Sequence, residues 1–330
     1  MSGDGGRKHW IGFDLGGTKM LALVLNEAFE KIARKRKKTK AHEGSEAGLG
    51  RIVRTIEGAL GEAGLNKDEL CGIGIGSPGP LDLKRGMILD TPNLGWRNVP
   101  LKATVEEAFG CPVVVANDVD AGTYGEYRLG AGKQARCVVG IFPGTGIGGG
   151  CVYDGRLIQG HTNSFMEIGH IPIQPGGPLC GCGRHGCLES VASRLVVSAS
   201  AAAAAHRGDA PHLHEAAGTD LADIRSGALA AAIQAGDTVV EQIVRESARW
   251  VGRAAATAVN LLGPDIVVLG GGLVEAMPEL YREEVAATAR SLVMPSFEDS
   301  FEVAVATLGD DATALGAAAW AERSLRSAAV

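Results

Sequence analysis

No apolar run in this chain approaches the roughly eighteen residues that a membrane-spanning helix needs. Its first residues, MSGDGGRKHW, hold no apolar core of the kind that directs secretion, so no secretory signal is expected. Positive charge is scarce. With 32 Lys and Arg against 38 Asp and Glu, the net charge is −6. That balance argues against a nucleic-acid binder, which needs a basic excess on at least one face. No G-x-x-x-x-G-K-[ST] is present, which excludes a P-loop. The GTGIGG beginning at Gly144 has the letters of a dinucleotide fingerprint but runs on into CVYDG, another strand, so that fold is disfavoured. What remains is an ordinary globular composition, 45% hydrophobic and 21% charged. At 330 residues the chain favours about two domains. It is expected in the cytoplasm, where thiols stay reduced.

Apolar, β-rich runs punctuate the chain: WIGFDLGGTKMLALVL, CGIGIGSPG, CPVVVAND, RCVVGIFPGTGIGGGCVYDG, DIVVLGGG and FEVAVATLG. Helical periodicity fills Leu49 to Ala63, Leu101 to Phe109 and the Ala-rich Ala192 to His206. Strands alternating with helices indicate an α/β chain with a largely parallel sheet. RGDAPHLHEAAGT, from Arg207 to Thr219, reads as a loop, and a long helical region follows from about Asp220 to Leu262, ending at Gly263-Pro264. The basic run KIARKRKKTK (Lys31 to Lys40) suits a solvated edge strand.

Two segments echo each other. DLGGTK and PGTGIGGG each place Gly and Thr at the bend of an apolar hairpin, residues 11–25 and 138–153. Such bends leave backbone N–H groups free to face an anion. With a third glycine cluster at Leu269 to Gly272, they point to a nucleotide held between two halves of the chain.

Cys180, Cys182 and Cys187 crowd into eight residues of HIPIQPGGPLCGCGRHGCLES, with His170 and His185 as the nearby imidazoles. Thiolates and imidazole suit tetrahedral Zn²⁺, and a reducing compartment favours metal over disulfide. Cys71, Cys111, Cys137 and Cys151 are scattered in apolar runs and read as small buried residues.

DLGGTK, SPGP, TPNLGW, VVVANDVDAG, GTGIGGG, EIGH, CGCGRHGCLE and LGDDATALGAA occur in order from about residue 9 to 326. Together they resemble the ROK (repressor, open reading frame, kinase) family of sugar kinases and regulators, and TPNLGWRNVPL is most similar to its bacterial glucokinases. The resemblance implies an actin-like (ribonuclease H-like) α/β fold of two domains, each on a five-stranded mixed sheet, with a cleft between them. Residues 1–118 would form the N-terminal domain and 119–310 the C-terminal one, carrying a zinc loop at 170–187. A helix at 311–326 would return to the first.

The implied activity is ATP-dependent phosphorylation of a hexose 6-hydroxyl, with glucose favoured. N-acetylmannosamine, N-acetylglucosamine and fructose stay open as acceptors, and polyphosphate as donor. The resemblance makes Asp118 the general base, and its place before a helix is expected to favour the ionised carboxylate. Gly79, Asn93, Asn117, Asp118, Glu167, His170 and Glu189 would bind the sugar. Asp14, Gly16, Gly17, Thr18, Lys19, Gly144, Thr145, Gly146, Gly271 and Gly272 would bind the nucleotide, with Asp14 organising Mg²⁺. His170 rather than His185 would complete the zinc set with the three cysteines, in a structural role. A homodimer or tetramer is usual for similar proteins. The rival, a sugar-sensing regulator, needs a helix-turn-helix for which about nine residues before Ile11 offer no room. Phe165 and Met166, before Glu167, and Gly122 and Tyr124, after Asp118, depart from the family pattern. Asp310-Asp311 reads as a helix cap.

Overall fold

A computed structural model describes residues 7–91, 93–161 and 165–328. The chain divides into two compact units: Met1–Lys133, Leu157–Phe165 and Asp310–Val330 form one, Gln134–Arg156 and Met166–Gly309 the other.

The first unit opens with β1 (His9–Leu15), β2 (Lys19–Leu25) and β3 (Lys31–Lys38), followed by α1 (Ser45–Ala63) and β4 (Leu70–Ser77). A small three-stranded sheet comes next, β5 (Leu81–Asp82), β6 (Met87–Thr91) and β7 (Trp96–Val99). Then follow α2 (Leu101–Phe109), β8 (Val113–Asn117) and α3 (Asp118–Leu129). The main sheet runs β3-β2-β1-β4-β8, antiparallel from β3 to β1 and parallel from β1 to β8. Near-continuous burial of β1, β2 and β4 fits a sheet covered on both faces. β3 is its charged edge, as the basic run suggests.

The second unit contains β9 (Cys137–Pro143), β10 (Ile147–Tyr153) and the start of β11 (Arg156–Leu157), whose Leu157 is counted with the first. Helices α4 (Glu189–Ala192), α5 (Arg194–Arg207), α6 (Pro211–Ala217), α7 (Ser226–Ala235) and α8 (Thr238–Leu262) come next. β12 (Ile266–Leu269), α9 (Gly272–Ala276), α10 (Pro278–Arg290) and β13 (Glu302–Val305) complete it. Its sheet, β11-β10-β9-β12-β13, repeats the pattern of the first: an antiparallel hairpin followed by parallel strands. The two glycine bends thus occupy corresponding hairpins. α8 buries Val240, Val244, Ala248, Val251, Ala255 and Val259, one stripe at helical spacing.

The last helix, α11 (Ala312–Ala328), lies on β1 and β4. Its approach requires glycine beneath it: a Cβ on Gly74 would stand 1.9 Å from the Ala317 carbonyl oxygen. It also packs against α3, where Tyr124 meets Trp320 edge to face at 5.1 Å between ring centres. This contact explains Tyr124 as a packing residue, and α3 belongs to the first unit, whose opening segment runs to Lys133.

Two other expectations change, and the acidic pair before the last helix gains partners. Arg207 to Thr219 is no simple loop, since Pro211 starts α6 at a position where its missing N–H costs nothing. The helical region from Asp220 is two helices, broken at Gly236 with φ of 109°. Asp310 and Asp311 tie down β3: Lys31 and Arg34 hold Asp311 at 2.7 and 3.0 Å, and Arg36 holds Asp310. No described helix is long and apolar enough to cross a membrane.

Candidate functional site

In the first unit, chemistry gathers at the carboxyl ends of β1, β4 and β8. The β1–β2 bend closes when the Gly16 N–H donates to the Lys19 carbonyl at 3.0 Å, leaving Gly17, Thr18 and Lys19 exposed. A Cβ on Gly17 would lie 3.8 Å from Asn93, which the turn between β6 and β7 presents. Trp96, buried in the core, anchors that turn. A Cβ on Gly79 would lie 3.8 Å from the Asn117 side-chain amide.

Asn117 caps α3: its Oδ1 accepts from the N–H groups of Val119 at 2.9 Å and Asp120 at 3.3 Å. Asp118 is therefore the first helical residue, not the cap, and its Oδ1 also accepts from Val119 at 2.9 Å. Those donors favour the carboxylate, as expected of a helix start, but burial outweighs them and raises its pKa. Asp14 is pushed up to about 7, first by burial and then by the negative charges of Asp118 and Asp310, against the pull of Arg36. Three carboxylates thus share one electrostatic environment. A group so arranged gains from a hard cation bound by oxygen.

The second unit presents the other bend. Gly144 and Gly146 close it through a 2.8 Å backbone hydrogen bond. Glu189, the first residue of α4, accepts from the Ile147 N–H at 3.0 Å. A Cβ on Gly146 would fall 2.3 Å from that carboxylate, so a larger residue would push Glu189 out of this position. Glu167 precedes and His170 ends a single 3₁₀ turn, Ile168–His170, whose buried Ile168 and Gly169 face β10. Met166 enters this turn in the left-handed region, φ 54°, a strained setting for a long side chain.

The cysteine loop folds back beside Glu189. His170 Nδ1 lies 3.6 Å from Cys180 Sγ, and Cys182 Sγ lies 3.7 Å from Cys187 Sγ. All four ligand atoms fall within 4.8 Å of one another. A tetrahedral zinc with Zn–S bonds of about 2.3 Å spaces its sulfurs about 3.8 Å apart, so the donor set fits that ion. A hydrogen bond from the Arg184 backbone lowers the pKa of Cys182, favouring its thiolate, whereas burial pushes Cys187 up to about 12. His185 is elsewhere, with Nδ1 3.1 Å from the Gly177 carbonyl.

Beyond the bend lies a hollow of about 600 Å³ lined by Arg194, Arg225, Ser226, Gly272 and Glu275, among others. Gly271 joins it to the end of β9: its Cβ would stand 2.7 Å from the Pro143 carbonyl oxygen.

Residues 10–324 match the family model described as the ROK family. The chain belongs to the ROK family. It is 34% identical to a glucokinase of Halalkalibacterium halodurans over 313 residues, 93% of each chain. It is 35% identical to a glucokinase of Streptomyces coelicolor, covering 93% of this chain and 96% of that one. Among solved structures it resembles a ROK family glucokinase from Streptomyces griseus in complex with glucose and AMPPNP. That TM-score is 0.82 at 34% identity, over 96% of this chain and 99% of the other. The fold is the actin-like two-domain α/β fold of ROK sugar kinases.

Within this ROK chain the motif residues form two sets. Asp14, Gly16 to Lys19, Gly79, Asn93, Asn117 and Asp118 stand together in the first unit, and Gly144 to Gly146, Glu167, His170, Glu189, Gly271 and Gly272 in the second. Sequence reasoning missed Arg36 and Asp310, which act on Asp14, and Arg194 beside the second bend. No motif marks Arg36 or Arg194, and the motif that holds Asp310 gives no sign of its pairing with Arg36; only the meeting of distant segments does.

Proposed function

We propose that this ROK protein is an ATP-dependent hexokinase-type enzyme that phosphorylates glucose at its 6-hydroxyl. The observation that carries the reading is Asp118, held at the start of α3 beside Asp14, with its proton affinity raised by burial. A carboxylate of raised pKa is a stronger base near neutral pH, and it takes the proton of the 6-hydroxyl as that oxygen attacks the donor's terminal phosphoryl group. The comparison with glucokinases over nearly the whole chain supports the choice of glucose.

Asn93, Asn117 and Gly79, with Glu167, His170 and Glu189, read the remaining hydroxyls. Carboxylates and amides suit this task because a sugar hydroxyl both donates and accepts. A site built so rejects an acceptor lacking a hydroxyl, whose partner would be left unpaired. The bends at Gly16 to Lys19 and Gly144 to Gly146 hold phosphates through backbone N–H groups and the Thr18 and Thr145 hydroxyls. Gly271 and Gly272 border the hollow that takes the adenosine. Mg²⁺, when bound, supplies charge neutralisation at the phosphates, and Asp14 offers it an oxygen. Zn²⁺ held by His170, Cys180, Cys182 and Cys187 is structural, because four protein ligands leave no open position. With Nδ1 on the metal side, His170 keeps Nε2 for a hydroxyl. The enzyme works in the cytoplasm, as a homo-oligomer with no nucleic-acid partner.

The test is Asp118→Ala. Glucose-dependent ADP release should fall by about two to four orders of magnitude while glucose binding, followed by calorimetry, persists. Turnover near the wild-type level in that variant removes the base assignment.

A further inference from the structure

Arg194 is the first residue of α5, in the turn where the helix dipole disfavours a cation, and no acidic residue shares that turn to offset it. Its backbone N–H donates to the Gly144 carbonyl at 2.9 Å. Its guanidinium Nη2 donates to the Thr145 hydroxyl at 2.9 Å. It therefore grips the second glycine bend twice, once from each end of the residue. The same side chain lines the hollow of about 600 Å³ that continues to Gly272 and Glu275. Among the described residues no carboxylate forms an ion pair with it, whereas Arg245 is held by Glu241 and Glu284 and Arg136 by Asp154. A guanidinium carries five donors in a planar fork, and the Thr145 contact uses one. Charge, spare donors and position suit an anion where this hollow meets the bend, on a lining that holds Arg194 and Arg225 against the single carboxylate of Glu275.

We propose that Arg194 is a phosphate-binding residue for the phosphoryl donor: its guanidinium, aligned by Thr145, forms a charge-assisted hydrogen bond with the phosphate chain of the bound nucleotide. This deepens the kinase reading and rests on it. The bond is made to phosphate and not to the nucleoside, so Arg194 sets how strongly the donor's phosphates, rather than its base, contribute to affinity.

The experiment compares ADP with adenosine on full-length wild type, Arg194→Ala and Arg194→Lys, with glucose titrated alongside. In the alanine variant ADP affinity should fall about 10- to 100-fold, the range for one charge-assisted hydrogen bond. Adenosine and glucose affinities should stay within about twofold, which also certifies the fold. Lysine should recover part of the ADP affinity, since it returns the charge but not the fork. In steady state the loss should enter the KM for ATP more than kcat. Unchanged ADP affinity in the alanine variant would overturn the assignment. A parallel loss of adenosine affinity would also overturn it, leaving Arg194 as a tether of the bend alone. Wild-type protein that binds no ADP would instead defeat the kinase reading itself, and this proposal with it.

Discussion

Replacing Asp14 with asparagine should make the folded protein more stable at alkaline pH while abolishing its activity. Burial and the charges of Asp118 and Asp310 lift the Asp14 carboxyl from 3.8 to about 7. Between those values the folded chain holds a proton that the unfolded chain has released. The native state then binds more protons, so stability falls as pH rises through this window and levels off above it. Below the window both states are protonated and the group costs nothing. A difference of about three pH units, at about 1.4 kcal/mol each, sets the cost at roughly 4 kcal/mol by pH 8. At pH 5 the same linkage gives about 1.5 kcal/mol. Asparagine keeps the shape and removes the charge. Urea denaturation in metal-free buffer should therefore show the variant ahead of wild type by a margin that widens by about 2–3 kcal/mol from pH 5 to pH 8. Mg²⁺ should narrow the margin, because an ion bound to the folded wild type stabilises it. A margin that stays constant with pH, or a wild type that gains on the variant as pH rises, refutes the argument.

Gly74→Ala should lower stability by about 3 kcal/mol or more, because its Cβ would lie 1.9 Å from the Ala317 carbonyl and neither backbone can yield cheaply; a variant within about 0.5 kcal/mol of wild type by urea titration defeats the packing argument. Elemental analysis should find about one zinc per chain, and chelation or Cys182→Ser should lower the melting temperature and weaken glucose binding about 10- to 100-fold. Metal-free protein with undiminished stability and glucose affinity defeats the structural role.

The parts legible in the sequence are those where local chemistry and tertiary need coincide. The hairpins at 11–25 and 138–153 declare themselves because their strands are continuously apolar and their bends are glycine-rich, and both lie where expected. Leu101 to Phe109 is α2 to the residue, since Gly110, at φ 65°, ends it with a left-handed cap. The three short strands β5 to β7 escape notice for the opposite reason: two to five residues carry too little alternation to outweigh the Pro, Gly and Asn around them. α6 is hidden by the Gly-Asp-Ala-Pro that announces a turn and in fact starts a helix.

The same division runs through the candidate site. Asp14 and Asp118 stand at the ends of apolar runs, and the parallel order β1-β4-β8 brings those ends to the same edge of the sheet. Their electrostatics are another matter. Position at a helix start argues for an easily ionised Asp118, yet ionisation depends on how much water the folded chain leaves around it, and burial wins over the dipole. Asp310 looks like a cap because it precedes a helix, but Arg36, on a strand 274 residues away, claims its carboxylate. Arg194 has no local signature either; it gains meaning only when α5 begins against Gly144 and Thr145. Residue type and order specify which groups can do chemistry. Their proton affinities, and the cations that serve them, are set by segments that meet only in the folded chain.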